Sequence, residues 1–350
     1  MQQGHTVFFK NAPRLIATGS IAGPKECAGV IGKFVDKALS DDTFGEQTFE
    51  RAERKMLLYA LEASIAKAGL QKEQVDAVLS GDLLNQIISA GFAARETGIP
   101  FLGVYSACST LSEALLLGGV LVDGGYARRV ACATGSHFSS AERQYRYPLE
   151  LGNTRPPQSQ WTVTGAGSVL LAAEGEGPAL TCGTVGKVVD YGVSDVNNMG
   201  AAMAPAAADT ILRHLADTGR EPDYYDLILT GDLGALGSRL LKELVRERGA
   251  DISANHVDCG EIVYRVVEDE FQGGSGAGCS AAVFCSYIYE HLLRGDIRRV
   301  LLAATGALLS TVSSGQGETI PCIAHAVAIE AEIGGLHSTM PHIYRASKGE

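Results

Sequence analysis

Three segments of this chain occur twice, in the same order, once in each half. The pairs are DAVLSGDL (76–83) with DLILTGDL (226–233), SACST (around Cys108) with AGCSA (around Cys279), and RRVACATG (128–135) with RRVLLAATG (298–306). The glycine of the first pair recurs after 150 residues, whereas the cysteine of the second pair and the threonine of the third both recur after 171. A net insertion of 21 residues between the first two segments of the later half accounts for the difference. The chain is therefore predicted to contain two duplicated halves.

Strand-like and helix-like segments alternate within each half, which predicts an α/β fold with a mixed, largely parallel sheet covered by helices. In the first half the predicted elements are a helix at 49–70, a strand at 75–79, a loop and helix at 81–98, a buried strand at 101–107, an apolar helix at 109–122, a buried strand at 128–136 and a strand at 163–173. In the second half they are a strand at 227–230, a helix at 236–247, a glycine-rich loop at 273–278 followed by an apolar helix, and a strand at 300–305. High glycine content (42 residues) and few aromatic residues (7%) agree with tight turns and close helix–sheet packing.

The duplication also predicts the domain organisation. We expect a first half at 1–175, a second half at 176–335 and a tail at 336–350. Within the first half, residues 138–160 contain three prolines and several aromatic residues, and they are predicted to form an irregular excursion.

Charge and cysteine usage exclude several classes of function. The formal charge of −11 and the absence of a dense basic run argue against nucleic acid and against direct docking on an anionic membrane. The eight cysteines show no C-x-x-C pair and no Cys/His ligand spacing, so reduced thiols are expected, with neither a metal nor a disulfide. No secretory signal and no apolar stretch of spanning length is visible, so we expect synthesis in the cytosol.

The duplicated β-α halves, a cysteine that opens an apolar helix after a buried strand, and the matched RRV..ATG strands resemble the thiolase superfamily. That resemblance implies a five-layer α-β-α-β-α core, usually in a homodimer. Four segments more narrowly resemble the stage V sporulation protein AD family: ATGSIAGPKECAG, ATGSHFSSAERQYRYPLELGNTRPPQSQW, GGSGAGCSA and SSGQGETIPCIAHAV. The narrower resemblance implies a protein without catalysis that binds dipicolinic acid (pyridine-2,6-dicarboxylate), alone or with calcium, for uptake into the developing spore. It also implies a peripheral place at the spore inner membrane, reached through membrane-embedded transport proteins.

Cys108 is the first candidate site residue. A thiol at the first turn of a helix can have its thiolate stabilised by free backbone N–H groups, as a nucleophile requires. The superfamily also needs histidine or asparagine on later loops, but here the loop after the second half's first strand carries Asp232 and the loop GGSGAGCS carries neither. The catalytic set is thus predicted to be broken. The alternative, an acyl-CoA or acyl-carrier acyltransferase, would use Cys108 with His325.

The binding hypothesis needs convergent donors for a flat dicarboxylate, which glycine-rich turns, hydroxyls, histidine and arginine can provide. The predicted ligand-binding residues are Cys108, Ser136, His137, Arg143, Asp232, Gly274, Ser275, Gly276 and His325. Arg146 and Arg155 are further candidates in the excursion. No cofactor is expected. Asp82 and Asp232, which occupy matched positions, are each predicted to cap the helix that follows their strand.

Overall fold

The computed structural model describes residues 2–146, 149–152, 154–265, 267 and 272–331, so the predicted tail at 336–350 lies outside the described residues. The strands are β1 (Gln2–Gln3), β2 (Thr6–Phe8), β3 (Arg14–Ala22), β4 (Lys37–Ala38), β5 (Ala77–Gly81), β6 (Phe101–Gly103), β7 (Arg129–Ser136), β8 (Trp161–Thr162), β9 (Gly165–Ala172), β10 (Ala179–Thr184), β11 (Leu227–Thr230), β12 (His256–Asp258), β13 (Gly274–Ser275), β14 (Arg299–Ala307) and β15 (Cys322–Glu330).

The helices are α1 (Pro24–Cys27), α2 (Phe49–Lys67), α3 (Ile88–Thr97), α4 (Thr110–Asp123), α5 (Phe138–Tyr145), α6 (Met199–Thr218), α7 (Gly234–Glu247), α8 (Cys259–Val263), α9 (Ala277–Val283), α10 (Tyr289–Arg294) and α11 (Thr311–Gly315). A π-helical turn at Phe284–Ile288 joins α9 to α10. No helix in the described part of the chain is long and apolar enough to cross a membrane.

Ten strands form two matching ladders of five. The order is β12-β11-β14-β15-β10 in one ladder and β3-β9-β7-β5-β6 in the other, and the two meet where Ala179 pairs with Arg14. In each ladder two neighbouring pairs are parallel (β11 with β12 and β14, β5 with β6 and β7) and the other two are antiparallel. The sheet is thus mixed, as predicted, although parallel pairing does not dominate.

The same side-chain contact anchors the central strand of both halves, which confirms the duplication. Asp76 Oδ2 accepts the backbone N–H groups of Arg128 and Arg129 at 2.7 and 2.8 Å. Asp226 Oδ2 accepts those of Arg298 and Arg299, both at 2.9 Å. In each half an aspartate before one strand therefore satisfies the amides at the start of its neighbour.

Helices fill the space between the two ladders and cover both outer faces. The central helix α4 touches both ladders, because its Ala114 carbonyl accepts the Cys132 thiol of β7 (3.2 Å) and its Ser112 Oγ accepts the Ala304 amide of β14 (3.2 Å). Helix α9 lies beside it, whereas α2 and α3 cover the outer face of the first ladder and α6 and α7 that of the second. A helix between two sheets is buried over most of its surface, which explains the apolar sequence of α4, although Leu117 and Val120 remain exposed. The result is the predicted five-layer α-β-α-β-α arrangement.

Two element predictions are wrong in part. The predicted buried strand at 101–107 is the short β6, which lies at the end of its ladder with Leu102 51% exposed. The predicted irregular excursion at 138–160 begins with the regular helix α5, whose N-cap is His137. Both outcomes matter below, because β6 leads to Cys108 and α5 forms one wall of the pocket.

Candidate functional site

Cys108 lies in a tight turn at the head of α4. Residues Ala107–Ser109 form a single 3-10 turn, and Ala107 adopts a φ of +50°, a left-handed conformation that non-glycine residues rarely occupy. The Thr110 hydroxyl holds this turn by donating to the Ala107 carbonyl at 2.6 Å. Gly306 of β14 packs against the same turn, since a Cβ on Gly306 would lie 2.1 Å from the Ser106 carbonyl oxygen.

A pocket opens at this turn, between the two halves of the chain. Its apolar lining is formed by Leu83, Ala107, Ala141, Met199, Ala307 and Leu309, and its polar or ionisable lining by Tyr105, Cys108, Tyr145, Arg146, Thr162, Ser275 and Gly276. The pocket encloses about 400 Å³ of space not filled by atoms, part of which is open to solvent. The hydroxyls of Tyr105 and Tyr145 approach each other to 3.4 Å along its wall.

The Cys108 thiol is a hydrogen-bond donor, with Asp232 as its acceptor. Burial raises the pKa of the Cys108 thiol well above its usual range, and the negative charge of Asp232 raises it further. Gly276 N–H and Arg146 act in the opposite direction but are smaller effects. A thiol in this environment stays protonated at neutral pH, which is the reverse of an activated nucleophile.

Asp232 is buried and connects three parts of the site. Its carboxylate accepts Thr305 Oγ1 at 2.8 Å and the Gly276 amide at 3.1 Å, in addition to the Cys108 thiol. Burial raises its pKa to about 7, with Asp258 adding to the rise and the three donors opposing it. The carboxyl group thus titrates near neutral pH.

The prediction that Asp232 caps the following helix is wrong. Asp258, at the end of β12, accepts the amides of Leu233 and Gly234 at the start of α7, each at 2.9 Å. Asp82 in the first half matches the prediction more closely, because it accepts the amides of Leu84 and of Ala90, the third residue of α3, each at 2.7 Å.

The cation of the pocket is Arg146, which follows α5 directly. It forms an ion pair with Glu142 one turn earlier, and the two side chains are only 4% and 2% exposed. Glu142 Oε1 also accepts the Thr162 hydroxyl at 2.8 Å. Arg146 was among the candidates taken from the sequence, whereas Glu142 was missed, although the i, i+4 spacing of the two is visible once the segment is recognised as a helix.

The glycine-rich turn forms the opposite wall. Gly274 and Ser275 pair with Trp161 and Thr162 as the two-stranded sheet β8–β13, and Gly276 then adopts a φ of +98° before α9 begins. Such a φ favours glycine. Ser275 and Gly276 line the pocket, whereas the Gly274 carbonyl accepts Gln160 Nε2 at 2.8 Å.

Gln160 is a further residue that sequence reasoning missed. Besides Gly274, its Nε2 donates to the backbone carbonyl of Asp232 at 2.7 Å. One amide side chain thus holds the glycine-rich turn beside the Asp232 loop. Glutamine has no distinctive spacing signal, so its sequence position alone did not reveal this contact.

Two of the predicted ligand residues satisfy backbone groups instead of lining the pocket. Ser136 Oγ donates to the Val163 carbonyl at 2.7 Å and accepts the Gly278 amide at 3.0 Å. His137 Nδ1 accepts the Ser139 amide at 3.1 Å, and its Nε2–H donates to the Asp42 carbonyl at 2.7 Å. Burial lowers the pKa of His137, so the ring is neutral in this setting.

The remaining predicted residues also lie outside the pocket lining. Arg143 is exposed and forms an ion pair with Glu50. Arg155 lies over the Trp161 ring, 4.7 Å from its centroid. His325 is buried, and its Nδ1 accepts the Gly186 amide at 3.3 Å, while burial lowers its pKa to about 4. The structure therefore places Cys108, Ser275 and Gly276 in the pocket lining, with Asp232 and Gly274 directly behind it. The side chains of His137, His325 and Arg143 are not part of that lining, although the His325 amide donates to Ser109 Oγ in the Cys108 turn at 3.1 Å.

The fold and the buried cysteine at the head of the central helix define a thiolase-like α/β protein. The structure is similar to 3-oxoacyl-[acyl-carrier-protein] synthase III from Aquifex aeolicus (TM-score 0.58, 13% identity, 91% of this chain and 99% of that chain covered). It is also similar to a variant of OleA from Xanthomonas campestris (TM-score 0.61, 12% identity, 94% and 99% covered). At these identities the likeness concerns the fold alone.

The sequence comparisons are more specific. The family model for stage V sporulation protein AD matches residues 3–330. Stage V sporulation protein AD of Bacillus subtilis (strain 168) is 44% identical over 326 residues, which cover 93% of this chain and 95% of that protein. The chain belongs to the stage V sporulation protein AD family.

Proposed function

We propose that this sporulation protein binds dipicolinic acid in the pocket beside Cys108, for uptake into the developing spore, and performs no catalysis there. The observation that carries the proposal is the pocket's donor set. Buried Arg146 offers a planar fork to a carboxylate, and the Ser275 side chain lies in the lining of the same space. Apolar side chains around them suit the ring of a flat heteroaromatic ligand.

The state of Cys108 supports binding over acyl transfer. A nucleophilic cysteine needs a nearby base or cation that favours the thiolate. Cys108 instead donates a hydrogen bond to a carboxylate, and His325, the base of the rival acyltransferase mechanism, directs Nδ1 to the Gly186 amide. The hydrogen bond between Cys108 and Asp232 disfavours a nucleophilic thiolate, but it is compatible with a pocket wall that contacts a ligand.

Charge balance supports the calcium complex as the preferred ligand form. Arg146 is already neutralised by Glu142, and Asp232 adds negative charge whenever it is ionised. A free dicarboxylate dianion would therefore enter a site with no surplus positive charge, whereas a one-to-one complex with Ca²⁺ carries its own neutralising charge.

Ligand entry requires a change in the pocket wall. The pocket walls lie too close together for a pyridine ring with two carboxylates. Tyr105 is 44% exposed and its hydroxyl lies 3.4 Å from that of Tyr145, so separation of these two rings would widen the pocket.

Calorimetry tests the proposal with a matched pair of arginine variants. Dipicolinate, with and without equimolar Ca²⁺, should bind the native protein and bind Arg146→Gln at least about tenfold more weakly, because the buried fork is lost. Arg143→Gln, three residues earlier but exposed, should bind as the native protein does. Thermal unfolding of both variants separates lost binding from lost folding.

Acyl transfer is measured in parallel with a set of acyl-CoA thioesters. Turnover that disappears in Cys108→Ala would overturn the proposal in favour of the acyltransferase. Absence of dipicolinate binding to the native protein, with and without calcium, would also overturn it.

We further propose that the protein acts as a homodimer and reaches the spore inner membrane through membrane-embedded transport proteins. The exposed edge of the first ladder supports the dimer, since β6 pairs only with β5 among the described residues and presents Leu102 to solvent. Unpaired strand edges favour pairing with another strand. Light scattering should give the dimer mass for the native protein and the monomer mass for Leu102→Asp.

A further inference from the structure

A cleft lined by three arginines lies on the outer face of the first half, between α2 and α3. Arg51 and Arg54 come from α2 and Arg95 from α3, while Ile88 and Phe92 of α3 provide the apolar surface. Glu50 and Ser89 complete the lining of this arginine cleft, which holds about 630 Å³ of space not filled by atoms, part of it open to solvent. The residues are distant in the sequence, so the positive cluster exists only in the folded chain.

The cations of the cleft are held by an aromatic ring and are only partly neutralised. The guanidinium carbons of Arg54 and Arg95 lie 5.1 and 4.7 Å from the centroid of the Phe92 ring. Arg95 forms an ion pair with its neighbour Glu96 at 2.5 Å. Within the described part of the chain, Arg51 and Arg54 form no ion pair, although Arg54 helps Arg95 to lower the pKa of the Glu96 carboxyl group. Arg51 is therefore the least neutralised of the three arginines.

Glu50, the acidic residue of the lining, is already engaged. Its carboxylate forms an ion pair with Arg143, which lies outside the cleft. The negative charge of Glu50 is therefore compensated from α5 rather than by Arg51 or Arg54. The cleft keeps a net positive character on a chain whose overall charge is −11.

The shape and the surroundings of the cleft favour a protein segment over a membrane. The cleft is concave, and Ile88, 44% exposed, contributes apolar surface between the charges. This combination fits an extended peptide in which carboxylates flank an apolar side chain, because each guanidinium can receive a carboxylate while the apolar residue packs on Ile88 and Phe92. A flat anionic bilayer would instead meet the full negative charge of the protein.

We propose that the arginine cleft is a docking site for an acidic segment of a partner protein, bound by Arg51 and Arg54 through its carboxylates. The site is independent of the Cys108 pocket, since no residue lines both. Binding there would leave the ligand pocket open.

Fluorescence anisotropy with a labelled peptide of alternating glutamate and leucine tests the proposal on the full-length protein. The peptide should bind the native protein and lose affinity by about tenfold when salt rises from about 20 to about 200 mM. The double variant Arg51→Ala/Arg54→Ala should bind at least about tenfold more weakly, whereas Arg128→Ala, an exposed arginine on another face, should bind normally.

Three further results decide the matter. Unchanged unfolding temperatures of the variants would confirm that lost binding reflects the lost charges. Equal peptide affinity in the native protein and the double variant would overturn the proposal. Binding to phosphatidylglycerol vesicles that the double variant loses, without peptide binding, would also overturn it and assign the cleft to a lipid surface.

Discussion

The two halves of the molecule share a frame but differ at the ends of their matched strands. Asp76 and Asp226 make the same pair of backbone contacts in both halves. Six residues further along each strand, Asp82 accepts backbone amides near α3, whereas Asp232 accepts a thiol, a hydroxyl and one amide at the pocket. The two halves therefore share the contacts that complete the sheet and differ in those next to the Cys108 pocket.

The cysteines differ in the same way. Cys108 lies in a strained turn and reaches the pocket with 8% of its surface exposed. Cys279 is inside α9 and completely buried in the main core. The equivalent positions therefore differ in environment, and only the cysteine of the first half lies in the lining of the pocket.

The largest expected effect on stability comes from Asp258, which accepts the amides at the start of α7 that Asp232 was predicted to accept. Asp258→Ala should lower the free energy of unfolding by about 3–5 kcal/mol, since it leaves the buried amides of Leu233, Gly234 and Gly260 without their acceptor. Asp232→Asn should change it by no more than about 1 kcal/mol, because a carbonyl oxygen remains and a buried charge is removed. Urea denaturation measures both.

Equal losses for the two variants would show that Asp232 still supports the fold of the second half as Asp82 supports the first. Circular dichroism at zero denaturant provides the control, since both variants must be folded before their unfolding curves are compared. The expected order would instead show that Asp258, and not Asp232, supports the start of α7 in the second half.

Much of the fold could be predicted from the sequence because its signals are local or duplicated. Apolar runs of strand length, helical spacing and the repeated RRV strands gave the elements and the two halves. The edge position of β6 could not be predicted, since strand order depends on long-range pairing, and an apolar segment such as FLGVYSA has the same pattern in an edge strand as in a central one.

The candidate site was predicted in part for a similar reason. The start of an apolar helix after a strand indicates the turn that contains Cys108, and the glycine-rich segment indicates the turn that contains Ser275 and Gly276. All three residues line one pocket. Ser136 and His137 have the right chemistry, but neighbouring backbone groups use their polar atoms. Whether a polar side chain forms hydrogen bonds with backbone groups depends on segments that are distant in the sequence, and the sequence pattern does not indicate those contacts.

Proton uptake at Asp232 gives the smaller effect, and it tests whether the divergence of Asp82 and Asp232 serves the ligand. Burial raises the pKa of Asp232 to about 7, so the carboxyl group is mostly neutral at pH 6 and mostly ionised at pH 8. An anionic ligand favours the neutral form, and binding should therefore take up a proton and strengthen as the pH falls through 7. We expect dipicolinate without calcium to bind about tenfold more tightly at pH 6 than at pH 8, a difference of about 1.4 kcal/mol.

Calorimetry at the two pH values, in buffers of different ionisation enthalpy, measures both the affinity and the proton taken up. In Asp232→Asn the pH dependence should disappear, with tight binding retained at pH 8. Asp82, whose pKa burial raises to about 6, is the control: its carboxylate accepts the amides of Leu84 and Ala90 and not those of the glycine-rich turn, so Asp82→Asn should keep the pH dependence if the variant folds. A native protein whose affinity is constant between pH 6 and 8 would show that the carboxyl group beside Cys108 does not sense the ligand's charge, and the difference between the two aspartates would then be structural alone.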